Sequence, residues 1–376
     1  MFDFENLYKQ RRNKICDFMK KNNIAACIFE DKEECREPSL RYLSGHTSDA
    51  ILILLNNGRN FLIPWDYNLA LQKAHAEKIL PYTDFERNNF TAIKSVLKQE
   101  ALPLNSKIAI PPSTSYINWK KYKDELKEFK ILCSENSVHN FVIESRAIKD
   151  EYEIECTKKA CSITDQMTQS IIEMVKSNKI KTETDVALFI ERELRNQNCE
   201  KTSFDTLAAG PSRSFAIHAF PGYTKNEWAT EGLSILDYGV CYEGYASDCT
   251  ITIARGKINS KQREILETVQ KAFDSCLKLY KANSSIKKAA LKAEEIFSQI
   301  GRSMPHSLGH GTGLEIHEAP FISTRADEAK LFKAGNIVTL EPGLYDSELG
   351  GCRLENDILI TEDGNQVLTN SKIFYL

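Results

Sequence analysis

Three histidines fall within twelve residues of this chain, in the stretch His306-Ser-Leu-Gly-His310-Gly-Thr-Gly-Leu-Glu-Ile-His317. A lone histidine is more often a satisfied core residue than a ligand. Three of them interleaved with three glycines point to a built site, because glycine lets backbones approach closely and accepts positive φ. Carboxylates supply the other half. Asp237 ends the apolar run Leu233-Ser-Ile-Leu-Asp, and Asp248 follows eleven residues later, just before Thr250-Ile-Thr-Ile. Glu341 ends Ile337-Val-Thr-Leu-Glu and precedes Pro342-Gly343, and Glu355 lies in Arg353-Leu-Glu-Asn-Asp-Ile-Leu-Ile. On a strand Arg353 and Glu355 share a face. A carboxylate at the end of a buried strand is costly unless it is paired or ligates a metal. Singly, each of the four reads equally well as a turn, cap or ion-pair residue. Together with His310 they form an oxygen-rich donor set with one imidazole, suited to hard or borderline ions, manganese first. Five side chains exceed what one catalytic metal needs. Two ions about 3.5–4 Å apart would use them and lower the pKa of a shared water toward ~7.

Helices and strands must hold these groups. In the second half, 150–176 carries apolar residues at helical spacing, and Thr182-Glu-Thr-Asp185 reads as a capping box opening a helix to about 197. Two more helices are expected over 260–282 and 286–300, the second capped by Ser284 or Ser285. Strands are expected over 233–240, 246–254, 337–341 and 353–360. Helices alternating with antiparallel strand pairs, rather than regular βαβ units, argue for an α+β fold there. The first half starts with a helix over 4–21 and a buried strand over 24–29. Residues 42–45 read as a strand end or turn. A hairpin turning at Asn56-Asn57-Gly58 follows, since Asn-Gly favours tight turns, then a helix over 66–78. Alternation continues to about 142, giving an α/β domain. The polar segment from Glu144 marks the boundary, with domains at 1–145 and 146–376.

The chain has 376 residues, enough for two domains of ordinary size. Its net charge of −3, with Lys and Arg scattered among Asp and Glu, lacks the basic face of a nucleic-acid binder. Eleven cysteines, none in a Cys-x-x-Cys pair, read as buried thiols in a reducing compartment. The N-terminus lacks the basic and apolar regions of a signal peptide. No apolar stretch approaches the ~20 residues that span a membrane. A cytoplasmic protein is expected.

The segments Asp237-Tyr-Gly-Val, Tyr245-Ala-Ser-Asp248-Cys-Thr250, Gly309-His310 through His317-Glu-Ala-Pro, Leu340-Glu341-Pro-Gly and Gly351-Cys-Arg353-Leu-Glu355 occur in that order. Together they resemble the M24 metallopeptidases, the pita-bread enzymes that include Xaa-Pro aminopeptidase, prolidase and methionine aminopeptidase. The first half resembles the creatinase-type N-terminal domain of the proline-specific members. The resemblance implies an α+β pita-bread catalytic domain behind a smaller α/β domain. It implies Asp237, Asp248, His310, Glu341 and Glu355 as ligands of two divalent ions, with manganese first and cobalt or zinc as alternatives. Asp248 and Glu355 would bridge the ions. Glu341 would handle the proton of the attacking water, and His218 and His317 would hold the scissile carbonyl and its tetrahedral intermediate. His306 and Arg353 would support the substrate site. A homodimer is implied as well.

Three departures from the family pattern stand out. Ile251 replaces an arginine common after the second aspartate, which is expected to touch a neighbouring ion pair and not the ligands. Gly210-Pro-Ser-Arg-Ser stands where Gly-Pro-Asn-Ser is frequent. Pro64-Trp65-Asp66-Tyr67 stands where Asp-Arg-Tyr is common. A metal-free creatinase-like hydrolase and a non-catalytic binding homologue are the alternatives to a peptidase. Both use this fold with ligands lost, whereas here all five are in place. The two-domain length argues against methionine aminopeptidase. The expected activity is release of the residue preceding proline from peptide N-termini by an Xaa-Pro aminopeptidase, with an Xaa-Pro dipeptidase (prolidase) as the alternative.

Overall fold

The computed structural model describes residues 2–376. The chain forms two compact units, one reaching Arg146 and one over Ala147–Leu376. The first contains helices α1 (Phe4–Lys21), α2 (Pro38–Ser44), α3 (Tyr67–Lys73), α4 (Asn89–Gln99), α5 (Tyr116–Glu125) and α6 (Val138–Arg146). Its strands are β1 (Ile24–Asp31), β2 (Ala50–Leu55), β3 (Asn60–Pro64), β4 (Lys78–Ile79), β5 (Lys107–Ala109) and β6 (Lys130–Leu132). They form one mixed sheet in the order β4-β3-β2-β1-β5-β6. The β2–β3 hairpin turns at Asn56–Arg59 as expected, with Gly58 at φ 98°. Two readings are corrected. Residues 38–44 are helical, opened by Pro38 in the first turn and closed by Gly45 in the left-handed region, the usual chemistry of helix ends. The helix expected to 78 stops at Lys73, and its end feeds the short edge strand β4. Trp65 leans on Tyr82, and Asp66 caps α3 through the Leu69 amide.

The second unit opens with α7 (Glu151–Lys176) and α8 (Glu183–Asn196), each started by a complete capping box, Asp150 with Glu153 and Thr182 with Asp185. Strands β7 (Lys201–Thr202), β8 (Leu207–Ala209), β9 (Gly232–Tyr238), β10 (Val240–Tyr242), β11 (Tyr245–Ala246) and β12 (Cys249–Arg255) follow. Then come α9 (Ser260–Leu277) and α10 (Ile286–Ser298). Strands β13 (Gly309–Gly311), β14 (Glu318–Ile322), β15 (Ile337–Leu340), β16 (Gly343–Asp346), β17 (Gly350–Arg353), β18 (Asn356–Ile360), β19 (Asn365–Val367) and β20 (Ile373–Tyr375) complete it. The sheet orders that position the site are β20-β12-β9-β8 and β14-β13-β15-β18-β19, with β16–β17 as a separate hairpin. One buried cluster joins α7 and α8 to β9 and β12, and another joins α9 and α10 to β15, β17 and β18. Each helix pair thus buries its apolar stripe against a sheet.

The expected strands in this half are broken where the chemistry lies. The 246–254 run is interrupted at Ser247 and Asp248, and the 353–360 run at Leu354 and Glu355. Ile251 is fully buried in the α7–α8 cluster, so this position serves the core. None of the eleven cysteines forms a disulfide; nine are buried, Cys133 is half-buried and Cys35 is exposed. Among the described residues no helix is long and apolar enough to cross a membrane.

Candidate metal centre

Strand register brings the acidic groups together. In the β9–β12 pair Asp237 lies directly opposite Thr250, so their side chains share a face. Glu355 bridges to the same residue: its amide donates to the Thr250 carbonyl at 3.1 Å, and the Thr250 hydroxyl donates to Glu355 Oε2 at 2.6 Å. Asp248 immediately precedes β12, and its amide donates to Asp357 Oδ2 at 2.8 Å. Glu341 immediately follows β15, and its amide donates to the Leu308 carbonyl at 2.9 Å. Asp248, Glu341 and Glu355 therefore stand at strand ends, whereas Asp237 lies within β9, paired to both β8 and β12.

His310 sits mid-strand on β13 between two glycines that cannot be replaced without collision. A Cβ on Gly309 would lie 2.1 Å from the Thr339 carbonyl oxygen, and one on Gly311 would lie 2.2 Å from that of Ala319. The His310 Nδ1 is 3.0 Å from the Gly311 carbonyl. It therefore carries the hydrogen and leaves Nε2 with a bare lone pair. That nitrogen faces Asp248 Oδ2 and Glu341 Oε1, each at 3.6 Å.

Burial and mutual repulsion raise the carboxyl pKa values. Asp248 is pushed well above the usual carboxylate range, first by burial and then by Glu355 and Asp237. Glu355 is pushed up by burial and by Glu341. Burial lifts Glu341 to about 8, with Arg353 opposing, and holds His310 down to about 4. Donor atoms of Asp248, His310 and Glu355 all lie within 4.8 Å of one another. Oδ1 of Asp237 and of Asp248 are buried without a hydrogen-bond partner. Buried, unpaired carboxylate oxygens converging on a deprotonated imidazole nitrogen are what a divalent cation satisfies, so these residues fit one.

A cavity of about 500 Å³ contains all nine residues expected from sequence, with Phe204, Leu207, Ile217, Ile316 and Phe321 as an apolar wall. The nine differ in setting. Asp248, His310, Arg353 and Glu355 are buried, Asp237, His306 and Glu341 are half-buried, and His218 and His317 are exposed. The His317 ring meets the His310 ring edge-to-face at 4.3 Å between centroids. Arg353 uses four of its five N–H donors inside the protein. It donates to Thr250 Oγ1 at 3.0 Å, Tyr345 Oη at 2.6 Å, the Ile217 carbonyl at 3.2 Å and Asp237 Oδ2 at 2.7 Å. Tyr345 in turn lies 3.0 Å from His306 Nε2.

Some groups at the site went unread in the sequence. Tyr345 is presented by the β16–β17 hairpin, and nothing in its local sequence distinguishes it. Asp357 could have been found by alternation, since it lies two residues past Glu355. Burial lifts its carboxyl to about 7, with the Asp248 amide and the Cys161 thiol opposing. Next to His317 in the chain, Glu318 pairs with Lys149 at 3.3 Å, both buried; partners this far apart in sequence leave no local signal.

The profile of metallopeptidase family M24 matches residues 155–362, more than half of the chain and the whole of this site. The chain belongs to that family. Residues 11–140 match the creatinase/prolidase N-terminal domain. An Xaa-Pro dipeptidase from Pyrococcus horikoshii is 32% identical over 98% of this chain and 99% of its own length. The solved prolidase from Pyrococcus furiosus superposes with a TM-score of 0.80 at 31% identity, covering 95% of this chain and 99% of that one. An X-Pro aminopeptidase from Thermotoga maritima gives a TM-score of 0.83 at 26% identity, over 97% and 99%. As an M24 peptidase with a creatinase-type first domain and a pita-bread second, the protein hydrolyses peptide bonds and uses divalent metal.

Proposed function

We propose that this M24 peptidase is an Xaa-Pro dipeptidase. The observation that carries the choice is the end-to-end match, at 32% and 34% identity, to two Pyrococcus enzymes named Xaa-Pro dipeptidase. It favours the dipeptidase alternative over the aminopeptidase preference of the sequence reading, which rested on no strong residue evidence. The proposal includes two divalent ions, manganese first, held by Asp237, Asp248, His310, Glu341 and Glu355. It also includes a homodimer, to be tested by sedimentation velocity, and a cytoplasmic location, in keeping with eleven cysteines outside any disulfide.

When bound, the metal supplies an activated water and a Lewis acid for the scissile carbonyl. The chain's own residues do the rest. Glu341 faces the cavity and, ionised beside a bound cation, would be placed to accept a proton from the water and return it to the proline nitrogen as the C–N bond breaks. His218 and His317, open to the cavity, donate hydrogen bonds to the carbonyl oxygen as it gains negative charge. Arg353 holds Asp237 in place. The apolar wall excludes water around the substrate's side chain.

The test is hydrolysis of Ala-Pro and Ala-Pro-Ala by chelator-treated protein with and without added Mn²⁺. Metal-dependent cleavage of the dipeptide with the tripeptide left intact is expected; preferential tripeptide cleavage would restore the aminopeptidase reading. Glu341→Gln should lower kcat by about 10³-fold and weaken manganese retention. Normal turnover by this variant would remove Glu341 from the mechanism.

A further inference from the structure

His218 is exposed on the long loop between β8 and β9, where no ladder fixes it. Yet the backbone on either side of it is gripped by two guanidinium groups. Arg353 donates to the Ile217 carbonyl. Arg213 donates through its other side to the Ala219 carbonyl at 2.9 Å and to the Pro221 carbonyl. Each arginine is anchored to a carboxylate, Arg353 to Asp237 and Arg213 to Glu183 at 3.0 Å.

Glu183 is a fully buried first-turn residue of α8. Its Oε1 accepts the Gly210 amide at 2.8 Å. Its Oε2 accepts the Thr224 amide at 2.8 Å, the Thr224 hydroxyl at 2.6 Å and the Arg213 guanidinium. One carboxylate therefore ties both ends of the 210–224 loop and its internal arginine. The helix N-terminus favours its charge, and charge-assisted bonds are the strong ones. The fit is close: a Cβ on Gly210 would lie 1.9 Å from the Glu227 carbonyl oxygen.

We propose that Glu183 and Arg213 are positioning residues whose ion pair, buried at the Glu183 end, sets the place of His218 over the cavity. Arg213 acts on the side of His218 opposite Arg353, so neither arginine alone determines the imidazole's position. The inference rests on the peptidase reading for its kinetic readout only.

The first test is amide hydrogen exchange on metal-free protein, comparing wild type with Arg213→Lys and Glu183→Gln. The amides of Ser214 and Ala216, bonded within the loop to Gly210 and Arg213, and those of Gly210 and Thr224 should exchange about tenfold faster. The helices of this unit should stay protected. Wild-type exchange over 208–224 in Arg213→Lys overturns the proposal. That variant keeps a cation, so it carries the test if Glu183→Gln fails to fold.

The second test is a cycle of Arg213→Lys and His218→Ala, read as kcat/KM on an Xaa-Pro dipeptide at high enzyme concentration. Arg213→Lys alone should cost about 10²-fold, mostly in kcat. In the His218→Ala background it should cost less than about twofold. Equal losses in both backgrounds would mean a general structural role and overturn the proposal. If wild type cleaves no peptide, the functional reading fails and the exchange experiment alone decides the brace.

Discussion

Arg353 illustrates how much of this site depends on one side chain's geometry. Its fork joins Asp237, Thr250, Tyr345 and the loop carrying His218, and lysine has the charge without the fork. Arg353→Lys should lower metal affinity or kcat/KM by about 10–100-fold, checked by metal content after dialysis and by initial rates. An unchanged metal content and rate would show that charge alone suffices. At this scale the carboxylates that line the cavity were legible in sequence, because a carboxylate at the edge of an apolar run must be compensated. Asp237 and Glu341 end such runs, and Asp248 and Glu355 stand shortly before them. The Glu183–Arg213 pair was not legible, because its partners lie thirty residues apart and each alone resembles a surface charge.

Among the elements, β13 tolerates little change. Gly311→Ala would press a Cβ against the Ala319 carbonyl, costing about 3 kcal/mol and lowering the melting temperature of the second unit by about 10 °C. A differential scan of the metal-free variant checks this, and a melting point like wild type's would mean that the β13–β14 contact can yield. In the first unit, α6 buries His139 against β1. Its Nε2 lies 2.9 Å from the Ile28 carbonyl, and Nδ1 has no partner. Burial lowers this imidazole from 6.5 to about 4. The unfolded chain therefore binds the proton first as pH falls. Stability is fully present above about 6.5 and is lost progressively toward about 4, by up to about 3 kcal/mol. Urea denaturation of wild type should show this slope, and His139→Gln should flatten it within that window. Helices with clear caps, such as α8, were readable from composition alone. The strand breaks beside Asp248 and Glu355 were not, because apolar residues continue through them and only the pairing partners decide where a ladder stops.

For the whole molecule, the consequence of separate cores is separable thermodynamics. The proposed ligands all lie in the second unit, so a metal held by them, at one hundred times its dissociation constant, should add about 2.7 kcal/mol to that unit. Calorimetry should show one transition rising with Mn²⁺ and the transition of the first unit unmoved; a single transition that shifts as a whole would mean the chain melts as one. The fold class was legible because strand and helix periodicities alternate differently in the two halves. Substrate length was not, since it depends on how the cavity is closed rather than on the ligand set that the motifs encode.

The distribution of thiols provides a built-in clock. Native protein offers one exposed sulfur, Cys35, while Cys16 and Cys27 in the first unit and seven others in the second are buried. A pulse of alkylating reagent during unfolding would therefore write a mass ladder. Each added label reports a cysteine newly reached by solvent, and peptide mapping tells which unit opened. Cys249, beside Asp248, would time the opening of the proposed metal centre itself.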